Sequence, residues 1–301
     1  MKLQIKLLFL LLFNLAVIQN CYSAACCGGG LASTFLITGD NKAQINSSYS
    51  YNKIDVDIDE FGYWRERKFS ESLETFRFEG AHIFFDRFQG GLSIPLIRRT
   101  RGSETSTGLG DLSATAGYEY LTNWSYHPWR PKGFGYLNLI VPTGVFLEEA
   151  SDAYLLDTRG RGFWTVGAGT LLTKTFGNFD FFTDLGIHRS FNRDFQNNQT
   201  QGTLIPGWGG NFAIGSGINF SSLRLGINIS WIYEDPVSVE GQINSLGYKK
   251  RFTSVDFPIT YFFSDEWLGV IRYTDRGLIG NPVNTSLDKA LTLQVQRNWP
   301  R

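Results

Sequence analysis

The sequence has few cysteines, which cross-link many small secreted proteins, and no excess of one charge, which would attract partners of the opposite charge. Its 301 residues include three cysteines and one methionine, and 28 basic residues balance 28 acidic ones. Because the net charge is zero, no overall field attracts nucleic acid, and we expect no nucleic-acid partner. The sequence has no phosphate-binding or dinucleotide-binding fingerprint, so we expect no cofactor.

The three cysteines, Cys21, Cys26 and Cys27, all lie close to the N-terminus. Adjacent cysteines close a disulfide only with strain. A cysteine pair without a nearby histidine does not make a zinc site, so we expect no metal. The residues before Cys26 resemble a weak lipidation motif, and whether Cys26 is lipidated stays open.

Long apolar runs are missing after the N-terminus. Lys2 and Lys6 precede an apolar stretch over 7–18 and then Ser23-Ala24-Ala25, an order typical of a signal peptide over 1–25. No later segment has the ~20 apolar residues that a spanning helix needs. A membrane role would therefore have to use strands.

Alternation of apolar and polar residues is what the sequence does have. In 174–189, Phe179, Phe181, Leu185 and Ile187 alternate with Asp180, Asp184, Gly186 and His188. Such a period of two predicts a strand with one apolar and one polar face. The pattern recurs over 223–234 and 254–263. A sheet with apolar residues outside and polar residues inside suits a barrel in lipid.

The alternating segments and their connections predict an all-β fold: a single transmembrane antiparallel β-barrel of about 12 strands, of the outer-membrane type, over 43–301. Short turns alternate with long polar links, as periplasmic turns and external loops do in such barrels. An even strand count places both termini in the periplasm. Residues 26–42 then form either a periplasmic segment or a plug in the lumen. The strands are predicted near 43–55, 72–84, 87–98, 109–122, 133–146, 161–175, 178–191, 206–219, 222–233, 251–263, 266–275 and 288–298.

Inward-facing charges are the candidate functional residues, because they can line a wet path or pair across the lumen. The lumen-lining candidates are Arg77, Glu79, Asp111, Glu119, Asp180, Asp184, His188, Arg224, Asp256 and Arg272. His82 fits badly, since it falls on the lipid-facing parity.

Three further features suggest partners or chemistry. Arg98, Arg99 and Arg101 are candidates to hold lipopolysaccharide phosphates, with a solvated loop as the alternative. The final amphipathic strand, ending near Trp299, is similar to the signal read by the barrel-assembly machinery. His188 and Ser190 are two residues apart on one strand face, which allows a hydroxyl nucleophile beside a base. Lipid hydrolysis would, however, need that pair on the outer wall.

Three stretches together resemble a known family. They are Gly108-Leu109-Gly110-Asp111-Leu112, the LNLIVPTG stretch over 137–144, and GRGFWTVGAGTLLTKT over 160–175. In this order they resemble the family of outer-membrane transporters named for the meta-pathway of phenol degradation, which is related to long-chain fatty-acid channels. The resemblance implies transport and supplies no catalytic residue to carry over.

The expected function is therefore an outer-membrane channel for passive uptake or efflux of small hydrophobic molecules, and not an enzyme. Its expected partners are outer-membrane lipid, lipopolysaccharide, a small-molecule solute and the barrel-assembly machinery. Two alternatives stay open: a closed barrel with a structural or surface-interaction role, and a lipid hydrolase that uses His188 and Ser190.

Overall fold

The computed structural model describes residues 35–123, 127–152, 154–196, 201–242 and 244–301. The predicted signal peptide over 1–25 and the lipidation candidate Cys26 lie outside the described residues. Within the described ranges, no helix is both long enough and apolar enough to cross a membrane. One short 3-10 helix covers Leu147–Glu149.

Strands make up the rest of the regular structure. In chain order they are β1 (Asn41–Ile58), β2 (Trp64–Phe84), β3 (Phe88–Arg101), β4 (Glu104–Leu109), β5 (Leu112–Leu121), β6 (Lys132–Val141), β7 (Thr165–Phe176), β8 (Phe179–Ser190), β9 (Arg193–Gln196), β10 (Gln201–Ile205), β11 (Trp208–Phe220), β12 (Leu223–Glu234), β13 (Ser238–Gly241), β14 (Lys250–Phe262), β15 (Trp267–Asp275) and β16 (Thr285–Pro300).

The strands form a closed antiparallel barrel of 12 strands. The sheet runs β2-β1-β16-β15-β14-β12-β11-β8-β7-β6-β5-β3, and pairing of β2 with β3 closes it. β4 and β5 both pair with β3, so they are one wall strand interrupted at Gly110 and Asp111. The predicted all-β barrel of about 12 strands is confirmed.

The barrel has one end with tight connections and one with long ones. We call the first the short-turn end; it includes the turns at 85–87, 177–178, 221–222 and 263–266. The turn at 177–178 needs the positive φ of Gly177, which is +55°. Asn41 pairs with Pro300, so the first and last barrel strands both reach this end. The opposite end is the long-loop end.

Two predicted strands are several residues too long, and the strand predicted over 72–84 begins earlier, at Trp64. The strand predicted over 133–146 ends at Val141, since Pro142 has no N–H to donate to the ladder. The strand predicted over 161–175 begins at Thr165. The preceding Gly162 has a φ of +81°, which does not continue a strand.

Three predicted loops contain strands instead. The links at 192–205 and 234–250 carry β9, β10 and β13, which pair into a separate three-stranded sheet. The link at 99–108 is a hairpin between β3 and β4 that turns at Gly102. These segments are polar and short, so a sequence pattern for strands is weak in them.

Candidate functional site

The two faces of the wall are separated as the alternation predicts. On β8, Phe181, Leu185 and Ile187 are 44–56% exposed on the outer face, while Asp180 is fully buried on the inner face. The outward rows of β12, β14 and β16 are likewise exposed and apolar, for example Trp231, Ile259 and Leu293. The lumen is therefore the polar side of the sheet.

The described part of the N-terminal segment lies inside this lumen. Leu36 packs against Phe134, Tyr136 and Leu171 on β6 and β7. Ile37 is 1% exposed and packs with inward residues of β2. The segment is thus buried against the inner wall from β2 to β7.

Hydrogen bonds to the backbone hold the segment in place. The Ile37 amide donates to Gln89 Oε1 at 2.6 Å, and Gln89 Nε2 donates back to the Ile37 carbonyl at 3.4 Å. Gln44 Nε2 donates to the Leu36 carbonyl at 3.4 Å, and Lys132 Nζ to the Thr38 carbonyl at 3.3 Å. A few polar contacts and two apolar side chains fix this segment.

A buried ion pair occupies the lumen on the opposite side. Arg224 Nε on β12 donates to Asp180 Oδ2 on β8 at 2.7 Å, and Asn219 Nδ2 donates to the same oxygen at 2.9 Å. The side chains of Arg224 and Asp180 are 3% and 0% exposed. Removing one partner of such a pair costs about 3–5 kcal/mol, because the other charge stays buried. This part of the lumen is rigid.

Four more predicted residues extend the network across the barrel. Arg272 on β15 interacts electrostatically with Asp256 on β14 and with Arg77 and Glu79 on β2. Asp256 accepts a hydrogen bond from Thr274 at 2.5 Å. Glu79 accepts hydrogen bonds from Asn46 at 2.6 Å and from Ser93 at 3.1 Å. The fold therefore brings these four charges, two positive and two negative, close together inside the barrel.

Asp184 belongs to a smaller cluster nearer the middle of the wall. Tyr136 Oη donates to Asp184 Oδ1 at 2.9 Å, and Asn211 Nδ2 donates to Asp184 Oδ2 at 2.7 Å. Tyr136 passes over Gly169, where an added Cβ would lie 2.4 Å from its hydroxyl. The absence of a side chain at Gly169 therefore lets Tyr136 reach Asp184 across β7.

Towards the long-loop end the lumen opens into a cavity of about 690 Å³. Its wall residues include Tyr136, Ile140, Ile232 and Phe252, and Phe163 lies on the loop side. Tyr136 also contacts the cluster around Leu36, so this cavity adjoins the N-terminal segment. The cavity is mostly apolar with a few convergent charges.

Charged residues cluster at one side of this cavity. Glu234 at the end of β12 accepts from Arg161 Nη2 at 2.7 Å and is 3.1 Å from His188 Nε2. Lys250 and Arg276 line the cavity as well, and Arg276 Nη1 is 2.8 Å from Asp288 Oδ1. His188, a predicted lumen residue, does face the interior here.

The connections at the long-loop end pack into a cap with its own core. Four residues are buried together there, 1–8% exposed, and they come from both the 142–164 loop and the three-stranded sheet: Phe146, Phe163, Phe195 and Leu204. The Arg193 guanidinium lies 4.0 Å from the centre of the Phe146 ring. The cap therefore encloses the cavity from outside.

Two predicted lumen residues lie outside these clusters. Asp111, in the break between β4 and β5, accepts hydrogen bonds from the amides of Gly144 and Arg161 at 3.0 and 2.7 Å. It anchors the cap loop. Glu119 is 2% exposed near the short-turn end, with Arg301 at 4.0 Å.

The residues singled out for hydrolysis, for phosphate binding and for their unexpected parity each have partners in the protein. His188 bonds to Glu234, while the Ser190 hydroxyl is 2.8 Å from that of Thr165, so hydrogen bonding does not link His188 with Ser190. Arg99 donates to Glu71 and to the Thr158 carbonyl. His82 contacts the Phe84 ring, with centroids 4.6 Å apart, on the outer parity.

Comparison with solved structures agrees with this architecture. The crystal structure of an outer membrane channel from Pseudomonas putida F1 is similar over 94% of this chain and 100% of that chain, with a TM-score of 0.71 and 15% sequence identity. At that identity the likeness shows a shared fold. The NanC porin has a TM-score of 0.49 and 9% identity over 84% of this chain and 98% of its own. The TodX deltaS2S3 mutant monoaromatic hydrocarbon channel has a TM-score of 0.47 and 10% identity over 87% of this chain and 91% of its own. No protein-family model and no curated protein matches the sequence.

Several cavity residues were missed by the sequence reasoning. Arg161, Glu234 and Lys250 sit at or beyond strand ends, where parity no longer tells which way a side chain points. The cavity residue Tyr136 was missed, like its neighbour Phe134 in the cluster around Leu36, because both are aromatic residues on the inner face. The sequence could have revealed them through Asn138, because residues at alternate positions lie on the same face of a strand and Asn138 is polar.

Proposed function

We propose that this chain is a passive outer-membrane channel for small, mainly apolar molecules. In this proposal the barrel over 43–301 spans the membrane, and the short-turn end with both termini faces the periplasm. The outward apolar rows support this orientation of the wall towards lipid. The fold shared with an outer membrane channel supports it further.

The cavity at the long-loop end of the lumen is the observation that carries the proposal. Its volume of about 690 Å³ falls in the range of ~300–1,000 Å³ of small-molecule sites. Its apolar lining favours an apolar solute, because moving apolar surface out of water is favourable. A solid barrel with only a structural role would have no reason to keep such a space.

The N-terminal segment is the proposed gate. It lies in the lumen beside the cavity and is held by the hydrogen bonds of Ile37 and by the packing of Leu36. Its displacement would connect the cavity with the short-turn end. We therefore assign the role of lumen plug to the segment that precedes β1, of which residues 35–40 are described.

The finer assignments belong to the same proposal. The three stretches quoted above support membership of the transporter family named for phenol degradation. Outward Leu291, Leu293 and Val295 on β16 suit recognition by the barrel-assembly machinery. For lipopolysaccharide phosphates, Arg98 is the suitable member of its cluster, since its side chain is 54% exposed whereas Arg99 is engaged inside.

Planar-bilayer recording and solute uptake test the proposal. We expect the purified protein to give ion conductance above background, and cells that express it to take up a radiolabelled neutral aromatic faster than cells with an empty vector. Uptake should not depend on metabolic energy. If conductance and uptake both stay at background, the channel proposal fails. Loss of partner binding after deletion of single loops would then favour the closed-barrel alternative.

A further inference from the structure

We propose that the cavity contains an anion subsite, centred on Lys250, that binds the carboxylate of a small solute whose apolar body occupies the rest of the cavity. This inference rests on the proposed channel function and narrows its solute class to apolar carboxylates.

Lys250 is placed to meet a solute in the cavity. It is the first residue of β14, and its inward parity is shared with Phe252 and Ser254. It lines the cavity, and its cross-strand partner is Glu234 on β12. Lys250 is an exposed residue of the cavity lining.

The Lys250 ammonium has no ion-pair partner among the described residues, whereas the two neighbouring guanidinium groups of the cavity each have one. Arg161 is paired with Glu234, and Arg276 is paired with Asp288. Within the described residues, the Lys250 ammonium makes no hydrogen bond or ion pair, and its Nζ lies 5.5 Å from the centre of the Phe252 ring. Glu234 and Asp288 attract it only at longer range, while Arg276 and Arg161 repel it.

The remaining acids of the cavity do not neutralise Lys250. Asp235 accepts hydrogen bonds from the Trp208 amide at 2.9 Å and from the Tyr233 hydroxyl at 3.0 Å. Burial raises the pKa of Glu148 in the 3-10 helix of the cap. A cation that has no ion-pair partner among the described residues favours an anionic ligand, because a nearby opposite charge stabilises its protonated form.

The surroundings of Lys250 suit a planar apolar body. The Phe252 ring lines the cavity between two cations, with the Arg276 guanidinium carbon 4.9 Å from its centre. Ile232 and Tyr248 line the same region. A single ammonium is a point charge, which matches one carboxylate rather than a polyanion.

Equilibrium binding to the purified, detergent-solubilised protein tests the subsite, with benzoate and the neutral benzamide as paired probes. We expect the wild-type protein to bind benzoate roughly tenfold or more tightly than benzamide, the value of one charge-assisted hydrogen bond. Lys250→Met should abolish that preference, and Lys250→Arg should retain most of it. Lys249→Met is the matched control, because Lys249 is exposed and does not line the cavity.

Several outcomes would overturn the subsite. They are equal affinity of the wild-type protein for the two probes, no binding of either probe, a preference that survives in Lys250→Met, and an equal loss in Lys249→Met. Heat-modifiable gel migration checks that each variant is folded, and the wild-type comparison needs no variant at all. Binding is measured without permeation, so failure of the subsite is distinguishable from failure of the channel proposal.

Discussion

Replacing Ile37 by alanine removes three carbon atoms from a side chain that is 1% exposed inside the lumen. Ile37 packs with Ala81 and Ile83 of β2, and its backbone is bonded to Gln89. The alanine variant keeps the backbone bonds and loses the apolar contact. It therefore tests whether burial of this side chain holds the N-terminal segment in the barrel.

The size of the effect follows from the buried carbon atoms. Each buried methylene contributes about 0.8 kcal/mol, so three contribute about 2 kcal/mol. At about 1.4 kcal/mol per factor of ten, the equilibrium between the docked and the displaced segment shifts about 30-fold. A segment that is displaced rarely in the wild-type protein would then be displaced far more often.

Single-channel recording in planar bilayers measures that shift as open probability. We expect Ile37→Ala to raise the open probability by up to about 30-fold, with unchanged conductance of the fully open state. Ile45→Ala is the matched control: it lies on the next strand, removes the same atoms, and is 53% exposed on the outer face. It should leave the open probability unchanged.

An unchanged open probability in Ile37→Ala would refute the gate. The same conclusion would follow if Ile45→Ala opened the channel equally, because the effect would then come from general weakening of the barrel. Heat-modifiable migration of both variants separates such weakening from gating.

Two further changes test the segment and the cap. In Gly91→Ala the new Cβ would lie 2.6 Å from the Phe35 carbonyl oxygen, so we expect a raised open probability, whereas Gly80→Ala meets nothing within 4 Å and should not change it. The second change concerns Asp157 in the cap loop, whose pKa lies below its usual value. Burial alone would raise this pKa, but hydrogen bonds from the Ser151 amide and hydroxyl, together with a second amide, lower it. Their stabilisation is present above the unfolded value near 3.8 and is lost as pH falls through the lowered pKa. Protease cleavage of the loop should therefore accelerate below that value, and Asp157→Asn should be cut roughly fivefold faster at neutral pH and lose the pH dependence. Cleavage of Asp157→Asn at the wild-type rate would count against this account.

The barrel wall was predictable because its signal is repeated. Each strand is ten or so residues of alternation, and the outer face must stay apolar over its whole height. Predicted segments such as 178–191 and 222–233 differ from β8 and β12 by only one residue at each end. The errors at Val141 and Thr165 lie where the chain leaves the wall. Beyond these residues the chain no longer has one outer and one inner face, so nothing requires apolar and polar residues to alternate.

The cap and the cavity were not predictable in the same way. β9, β10 and β13 have only four or five residues each, and they pair across a sequence separation that no local pattern reveals. The pairing of Arg161 with Glu234 joins a loop to a strand end. Sequence reasoning placed His188 and Asp184 inside, but it could not show that one faces a charged cluster and the other a tyrosine.

The two sides of the lumen are held by different kinds of interaction. On the side of β8 and β12, opening a path would break the Asp180–Arg224 pair, at a cost of about 3–5 kcal/mol for one lost partner. On the side of β2 to β7, the segment holds two apolar side chains and neutral or long hydrogen bonds, each worth about 0.5–1.5 kcal/mol. Movement of the segment breaks no buried ion pair, and the segment also lies next to the cavity through Tyr136. In the proposed channel, a solute that fills the cavity can therefore reach the contacts of Leu36 through Tyr136 without breaking the Asp180–Arg224 pair.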